Sequence, residues 1–95
     1  MSDIPKTLQV RVITPKKVLV SEDGVTALSL PSVDGELGIL PGHRSLLTAV
    51  GSGTLVIEKG SSAREEHQIH GGTAEIHPDR VRIFTHEGKD PSIPE

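Results

Sequence analysis

The chain has 95 residues, 34% of them hydrophobic, and Phe84 is its single aromatic residue. A chain of this length forms one domain and buries only about 60% of the surface that its unfolded state exposes, so the small core must be aliphatic. The net charge of -3 and the lack of interleaved aromatic residues argue against nucleic acid as a partner. The absence of cysteine excludes disulfides, thiolate metal sites and cysteine nucleophiles.

Short apolar stretches separated by Gly, Pro, Asp and Ser recur at roughly ten-residue spacing, which is typical of an all-β sandwich or barrel. Leu8, Val10 and Val12 alternate with polar residues, so the first strand has one buried and one solvated face. Pro15 ends this strand because proline donates no ladder hydrogen bond. The later strands are expected at residues 18–20, 25–30, 37–40, 45–50, 55–58, 65–70, 73–76 and 81–85.

Glycines mark the irregular positions of these strands. Gly38, inside an apolar run, predicts a bulge or a close backbone approach. The segment from Gly51 to Gly53 is expected to open a hairpin, and the pair Gly71 and Gly72 to break or sharply bend a strand.

The domain is expected to cover residues 1–86. Its remaining segment, EGKDPSIPE at 87–95, combines two prolines with four charges and buries too little apolar surface to offset its ordering entropy. This segment is therefore predicted to be a flexible polar tail. The opening MSDIPKTLQV has no secretory or transit pattern, so membrane association is expected only through a partner.

A metal-binding β-barrel is one alternative, because the chain has five histidines. His67 and His70 are three positions apart, which on a strand places their rings on opposite faces and disfavours a shared metal. The stretch GELGILPGH lacks the Gly-Lys-Ser/Thr ending of a phosphate loop. Asp34, His43 and Ser45 have the residue types of a hydrolase triad, but no nucleophile-elbow pattern surrounds them. We therefore expect no catalytic residue, cofactor or metal.

A lipoyl or biotinyl carrier domain is the second alternative, since Lys59 is expected at a hairpin tip of a small all-β domain. Carrier domains have Asp or Met immediately before the modified lysine, whereas Glu58 stands there in this chain. The alternative stays open but is disfavoured.

Residues 34–50, DGELGILPGHRSLLTAV, resemble the signature of the N-terminal domain of the epsilon subunit of F-type rotary ATP synthases. That family typically has Gly-Glu-x-Gly-Ile-x-Pro-Gly-His followed by a Leu-Leu-Thr segment. The similarity continues in LQVRVITP, in LVIEKG and in IHGGTAEIHPDRVRIFT, so it covers residues 7–86 in collinear order. It implies a flattened sandwich of two mostly antiparallel sheets with about ten short strands.

The resemblance also implies a function and two partners. The family member is a non-catalytic subunit of the central stalk, which joins the gamma subunit to the membrane c-ring during proton- or sodium-driven ATP synthesis. It lies at the cytoplasmic face of the cell membrane and touches the membrane only through the c-ring. Carried over by position, Glu36 faces the c-ring, and Pro41, Gly42 and His43 lie near gamma.

The chain departs from the family pattern in three turn residues, Arg44, Ser45 and Ser52. It also lacks the helical hairpin with which family members usually continue. Inhibition of ATP hydrolysis and ATP sensing, which the family assigns to that hairpin, are therefore not carried over.

Overall fold

The computed structural model describes residues 4–85, and the predicted tail at 87–95 lies outside them. The described part is all-β, which confirms the predicted class. It contains no helix that is long and apolar enough to span a membrane. Its seven strands are β1 (Leu8–Ile13), β2 (Val18–Val25), β3 (Ala27–Ser32), β4 (Gly35–Ile39), β5 (Leu46–Lys59), β6 (Ala63–His77) and β7 (Arg80–Thr85).

The seven strands form one hydrogen-bonded sheet in the order β2-β1-β7-β6-β5-β3-β4. All neighbouring strands are antiparallel except β1 and β7, which are parallel. The two long strands β5 and β6 keep one register from Leu46 opposite Ile76 to Lys59 opposite Ala63. β7 pairs with the C-terminal end of β6, whereas β3 pairs mainly with the C-terminal end of β5. The long hairpin therefore connects two halves of the sheet.

The two halves meet at the glycines where strand ends were predicted. In β5 the buried residue before the bend is even-numbered, Val50, and those after it are odd-numbered, from Leu55. In β6 the buried residue before the bend is odd-numbered, Ile69, and those after it are even-numbered, from Ala74. Gly71 and Gly72 have φ values of +78° and +134°, which L side chains rarely adopt, so the chain turns over here without leaving the ladder. The hairpin predicted to open at residues 51–53 is wrong. The nine strand segments predicted along the chain become seven strands, because those at 45–50 and 55–58 join in β5 and those at 65–70 and 73–76 join in β6.

One aliphatic core lies between the two halves, as a sandwich requires. Full burial of each such side chain stabilises the fold by about 1.5 to 3 kcal/mol. Phe84, the single aromatic residue, is 40% exposed and lies outside this core. The buried residues form a single cluster: Leu8, Val10, Val12, Val20, Val25, Leu28, Leu30, Ile39, Val50, Leu55, Ile57, Ile69, Ala74, Ile76, Val81 and Ile83.

Local irregularities differ from their predicted form in three places. The turn predicted at residues 22–24 is a bulge inside β2, where the register with β1 shifts and Gly24 has a φ of +71°. Pro31 does not end β3; it lies where the β3–β5 register shifts between Ser29 and Ser32, and an irregular position of this kind tolerates proline in a sheet. Gly38 lies opposite Ser29 in regular register, and a Cβ on it would meet no atom within 4 Å. The predicted bulge or close approach at Gly38 is therefore wrong.

The sandwich has two rims, at opposite ends of β7. The bend rim is the line where the sheet folds over, and paired residues define it: Ser32, Val50, Gly72 and Thr85. The opposite rim contains the turns at residues 40–43 and 77–80, which are joined by the hydrogen bond from Gly42 N to Pro78 O at 2.8 Å. At about 3.3 Å per residue, β7 separates the two rims by roughly 17 to 20 Å.

Candidate functional site

Glu36 lies on β4 next to the β3–β4 turn, at the bend rim. Ser32 Oγ donates to Gly35 O at 2.8 Å and accepts from Asp34 N at 3.2 Å, so one hydroxyl fixes the turn. Val33 at its tip is 72% exposed, and the side chains of Asp34 and Glu36 are exposed beside it. The turn thus presents an apolar tip flanked by two carboxylates, which suits a partner with cationic or donor groups.

The turn at residues 40–43 lies at the opposite rim and depends on Gly42. Gly42 has a φ of +89°, and a Cβ there would lie 2.8 Å from Ile4 Cγ2. His43 N donates to Leu40 O at 3.1 Å, which closes the turn. Because of this φ and this contact, a side chain at position 42 would strain the turn.

Exposed apolar side chains surround this turn. Ile4 and Leu40 are 72% and 62% exposed, and Leu47 at the start of β5 is 69% exposed. The half-buried His43 ring has Nδ1 at 2.7 Å from Arg44 O, so Nδ1 donates to that carbonyl. A group of neighbouring exposed apolar residues often marks a surface that another chain covers, whereas single exposed apolar residues are ordinary.

The structure therefore separates the residues that the sequence placed at two contacts. Glu36 lies by the bend rim, whereas Pro41, Gly42 and His43 lie at the opposite rim. Asp34 and His43 are separated in the same way, so they form no triad with Ser45. Ser45 Oγ instead lies 3.4 Å from His77 Nδ1.

An ion-pair network on the outer surface was not predicted. Nε and Nη2 of Arg82 both donate to Glu75 Oε1, and His77 Nε2 lies 3.4 Å from the same oxygen. The hydrogen bond from Arg82 is the main reason why the pKa of Glu75 lies below its ordinary value. Arg82 also lies over the Phe84 ring, 5.8 Å from its centroid. Only the β6–β7 register, which places Glu75 opposite Arg82, would have identified this network.

Within residues 4–85, the structure offers no site for a bound metal or for a carrier cofactor. Within residues 4–85, no group of three or more His, Asp or Glu side chains is arranged to hold a metal. His67 Nε2 contacts Glu65 Oε1 at 3.0 Å. Lys59 Nζ pairs with Glu22 and its side chain is only 33% exposed, so the amine is held against β2 rather than displayed for a carrier cofactor. This hydrogen bond raises the pKa of Lys59 and lowers that of Glu22.

Comparison with known proteins gives consistent matches over nearly the whole chain. Residues 7–89 match the family described as "ATP synthase, Delta/Epsilon chain, beta-sandwich domain". The ATP synthase epsilon chain of Solibacter usitatus is 42% identical over 81 residues, which are 85% of this chain and 59% of the relative. That of Synechocystis sp. is 42% identical over 78 residues, 82% of this chain and 56% of the relative.

Two solved structures share the fold. The Euglena gracilis mitochondrial ATP synthase, determined as an OSCP/F1/c-ring structure, contains a chain with a TM-score of 0.81 and 25% identity. The match covers 90% of this chain and 54% of that one. A chain of the Tetrahymena thermophila mitochondrial ATP synthase central stalk and c-ring has a TM-score of 0.68 at 17% identity, and covers 98% of this chain and 81% of its own length.

The chain spans somewhat more than half the length of the curated relatives that it matches. The match nevertheless includes every strand of the sandwich, both turns and the Gly-Gly pair at the bend. The chain therefore belongs to the ATP synthase delta/epsilon chain β-sandwich domain family.

Proposed function

We propose that this chain is a non-catalytic subunit of the central stalk of an ATP synthase. It joins the gamma subunit to the membrane c-ring, so that ion-driven rotation of the ring reaches the catalytic head. The observation that supports this role beyond family membership is the placement of two exposed turns at opposite rims of one sandwich, one fixed by the Ser32 hydroxyl and the other dependent on Gly42. The chain lies at the cytoplasmic face of the membrane and is attached there through the ring.

The task of such a subunit is mechanical. The strands run from one rim to the other, and their continuous hydrogen-bond ladder and close-packed aliphatic core resist shear between the rims. No bond is made or broken in this role. Away from the two turns, several charged groups pair with one another across strands, as Glu75 does with Arg82.

The two contacts differ in their physical character. Glu36 and Asp34 present charge at a solvated rim, where an ion pair contributes about 0.2 to 1 kcal/mol and weakens as salt rises. The turn containing His43 lies among the exposed apolar residues Ile4, Leu40 and Leu47, where packed contacts mainly set the dissociation rate. We assign the first contact to the c-ring and the second to gamma.

The test compares Glu36→Lys with His43→Asp in two assays: affinity for purified gamma, and retention of ATPase on stripped membranes at low and high salt. Glu36→Lys is expected to loosen membrane attachment in a salt-dependent manner and to leave gamma binding intact. His43→Asp is expected to weaken gamma binding even at high salt. The control is Glu66→Lys, the same charge change at a carboxylate on β6 that is 54% exposed and pairs with Arg64 at 3.1 Å.

The control should change neither assay. If Glu36→Lys damages gamma binding as much as His43→Asp does, the assignment of the two turns to separate partners is wrong. If neither wild-type assay detects binding, the proposed function itself is wrong.

A further inference from the structure

The two outer strands of the sheet, β2 and β4, differ in how their free edges are protected. On β2 the register with β1 shifts near residues 22–24, and the half-buried Glu22 is directed at Lys59 in the facing half of the sandwich. Bulges and inward-pointing charges are devices that keep an edge strand from pairing with another chain. β4 pairs with β3 in regular register and has no bulge, lysine, proline or inward-pointing charge. Its free edge is therefore open to another strand.

Opposite charges lie at the two ends of β4. Asp34 and Glu36 are exposed at the bend-rim end, and Arg44 is exposed beyond the turn at the other end. Within residues 4–85, none of these three side chains forms an ion pair. Arg44 is also one of the residues at which the chain departs from the family pattern, so this arrangement belongs to the chain itself.

A second copy of the chain is complementary to this edge when the two β4 strands pair antiparallel about a two-fold axis at Leu37. Leu37 is the central residue of β4, so all five positions overlap, and the half-buried leucine meets its own copy. Glu36 lies opposite Gly38, where a Cβ would meet no atom within 4 Å, so its side chain has room. An axis at Glu36 would instead place two carboxylates opposite each other, which is destabilising.

The same register brings the opposite charges together. Antiparallel pairing about Leu37 places Asp34 of one copy opposite Leu40 of the other, and the turn after Leu40 leads to Arg44. The acidic turn of each copy therefore faces the basic turn of its partner, twice by symmetry. Parallel pairing would bring acidic turn beside acidic turn. The charges of this edge thus favour a second copy in one orientation.

We propose that free copies of this chain associate as a symmetric dimer through β4, and that the dimer dissociates before the chain enters the ATP synthase. The second part rests on the proposed function, which assigns the turns at the two ends of β4 to the c-ring and to gamma; a second copy on this edge covers both. Edges of five residues bury less than the roughly 800 Å² per partner of a standard interface, so we expect a dissociation constant of about 10 µM to 1 mM.

The chain has no cysteine, so disulfides between single-cysteine variants report the register. Glu36→Cys and Gly38→Cys are mixed and oxidised. The proposed register places these positions opposite each other, so we expect more of the mixed disulfide than random pairing gives. The control replaces Gly38→Cys by Glu66→Cys, at an exposed position on β6 away from the edge, and should show no such excess. Random pairing of positions 36 and 38, or an excess of either homodisulfide, overturns the register.

Sedimentation velocity of the full chain measures the association itself. Asp34→Lys and Arg44→Glu should each weaken the dimer about two- to thirtyfold at low salt, the factor that two symmetry-related exposed ion pairs supply, and less at high salt. The variant that combines both substitutions restores the pairs with exchanged signs and should dimerise like the wild type. Glu66→Lys controls for the change in net charge. A combined variant weaker than either single variant overturns the charge pairing, and a wild-type chain that stays monomeric at about 1 mM overturns the dimer.

Purified gamma separates this inference from the function on which it rests. Added to the dimer, gamma should yield a complex with one copy of the chain. A complex with two copies overturns the requirement for dissociation and leaves the proposed function standing. If the diluted, monomeric wild-type chain does not bind gamma, the proposed function fails instead, whereas the dimer is unaffected.

Discussion

Gly72 is the position at which the fold tolerates a side chain least. It has a φ of +134°, and a Cβ built on it would lie 1.9 Å from the backbone oxygen of Phe84 and 3.0 Å from Thr85 Cα. These atoms belong to β7, which pairs with Gly72 at the last step of the β6–β7 ladder. Gly72→Ala therefore forces β7 away from β6 or the bend out of its conformation.

The cost is large relative to the stability of the domain. A sparsely populated φ costs about 1 to 3 kcal/mol, and an overpacked contact that moves backbone costs a further 1 to 3 or so. A domain of this size has a free energy of unfolding of about 5 to 14 kcal/mol. Each kcal/mol lowers the melting temperature by about 4 to 8 °C, so Gly72→Ala should lower it by roughly 10 °C or more.

Thermal unfolding followed by circular dichroism tests this with two controls. Gly35→Ala has a similarly disfavoured φ of +121° but no atom within 4 Å of the new Cβ, so it measures the φ contribution alone. Gly38→Ala has ordinary φ and open space, and should be neutral or slightly stabilising. If Gly72→Ala melts no lower than Gly35→Ala, the close approach of β7 does not constrain position 72.

Two further predictions concern polar groups that join separate strands. Thr85→Val should lower the free energy of unfolding in urea by about 1 to 3 kcal/mol, because Gly71 O loses the hydroxyl that donates to it at 2.6 Å; Thr85→Ser, which keeps the hydroxyl, should lose less. The hydrogen bond from Lys59 holds the pKa of Glu22 below its ordinary value of 4.5, so this pair stabilises the fold above that pH and the contribution is lost as pH falls through the lowered folded pKa. Lys59→Met should reduce the fall in the free energy of unfolding as the pH drops below about 5, whereas Lys6→Met should leave that fall unchanged. If the two variants lose stability equally at acid pH, the Lys59–Glu22 pair is not the cause.

The fold class could be predicted from the sequence because its causes are local. Alternation in residues such as Leu8, Val10 and Val12 places one face inward whatever the neighbouring strands are. The aliphatic core follows from a composition with one aromatic residue. The motif between Asp34 and Val50 identified the family, which the comparisons confirm.

The continuity of the long strands was decided by tertiary structure. A glycine allows backbone angles that other residues avoid. Whether it ends a strand, as predicted at Gly51 and Gly53, or lets the strand turn over within a ladder depends on the strand beside it. β3 passes so close that a Cβ on Gly53 would lie 3.0 Å from Pro31 Cβ. At Gly38 the same residue type meets open space, and no local pattern distinguishes the two cases.

The separation of the two candidate contacts was also a tertiary result. Glu36 and His43 are close in sequence, yet β4 and the chain that follows it run from the bend rim to the opposite rim between them. The turns at residues 32–35 and 14–17 are distant in sequence, but they meet the same rim because β3 and β1 approach it from opposite halves of the folded sheet. Sequence patterns report which face of a strand is buried; only the pairing of strands fixes which turns share an end of the molecule.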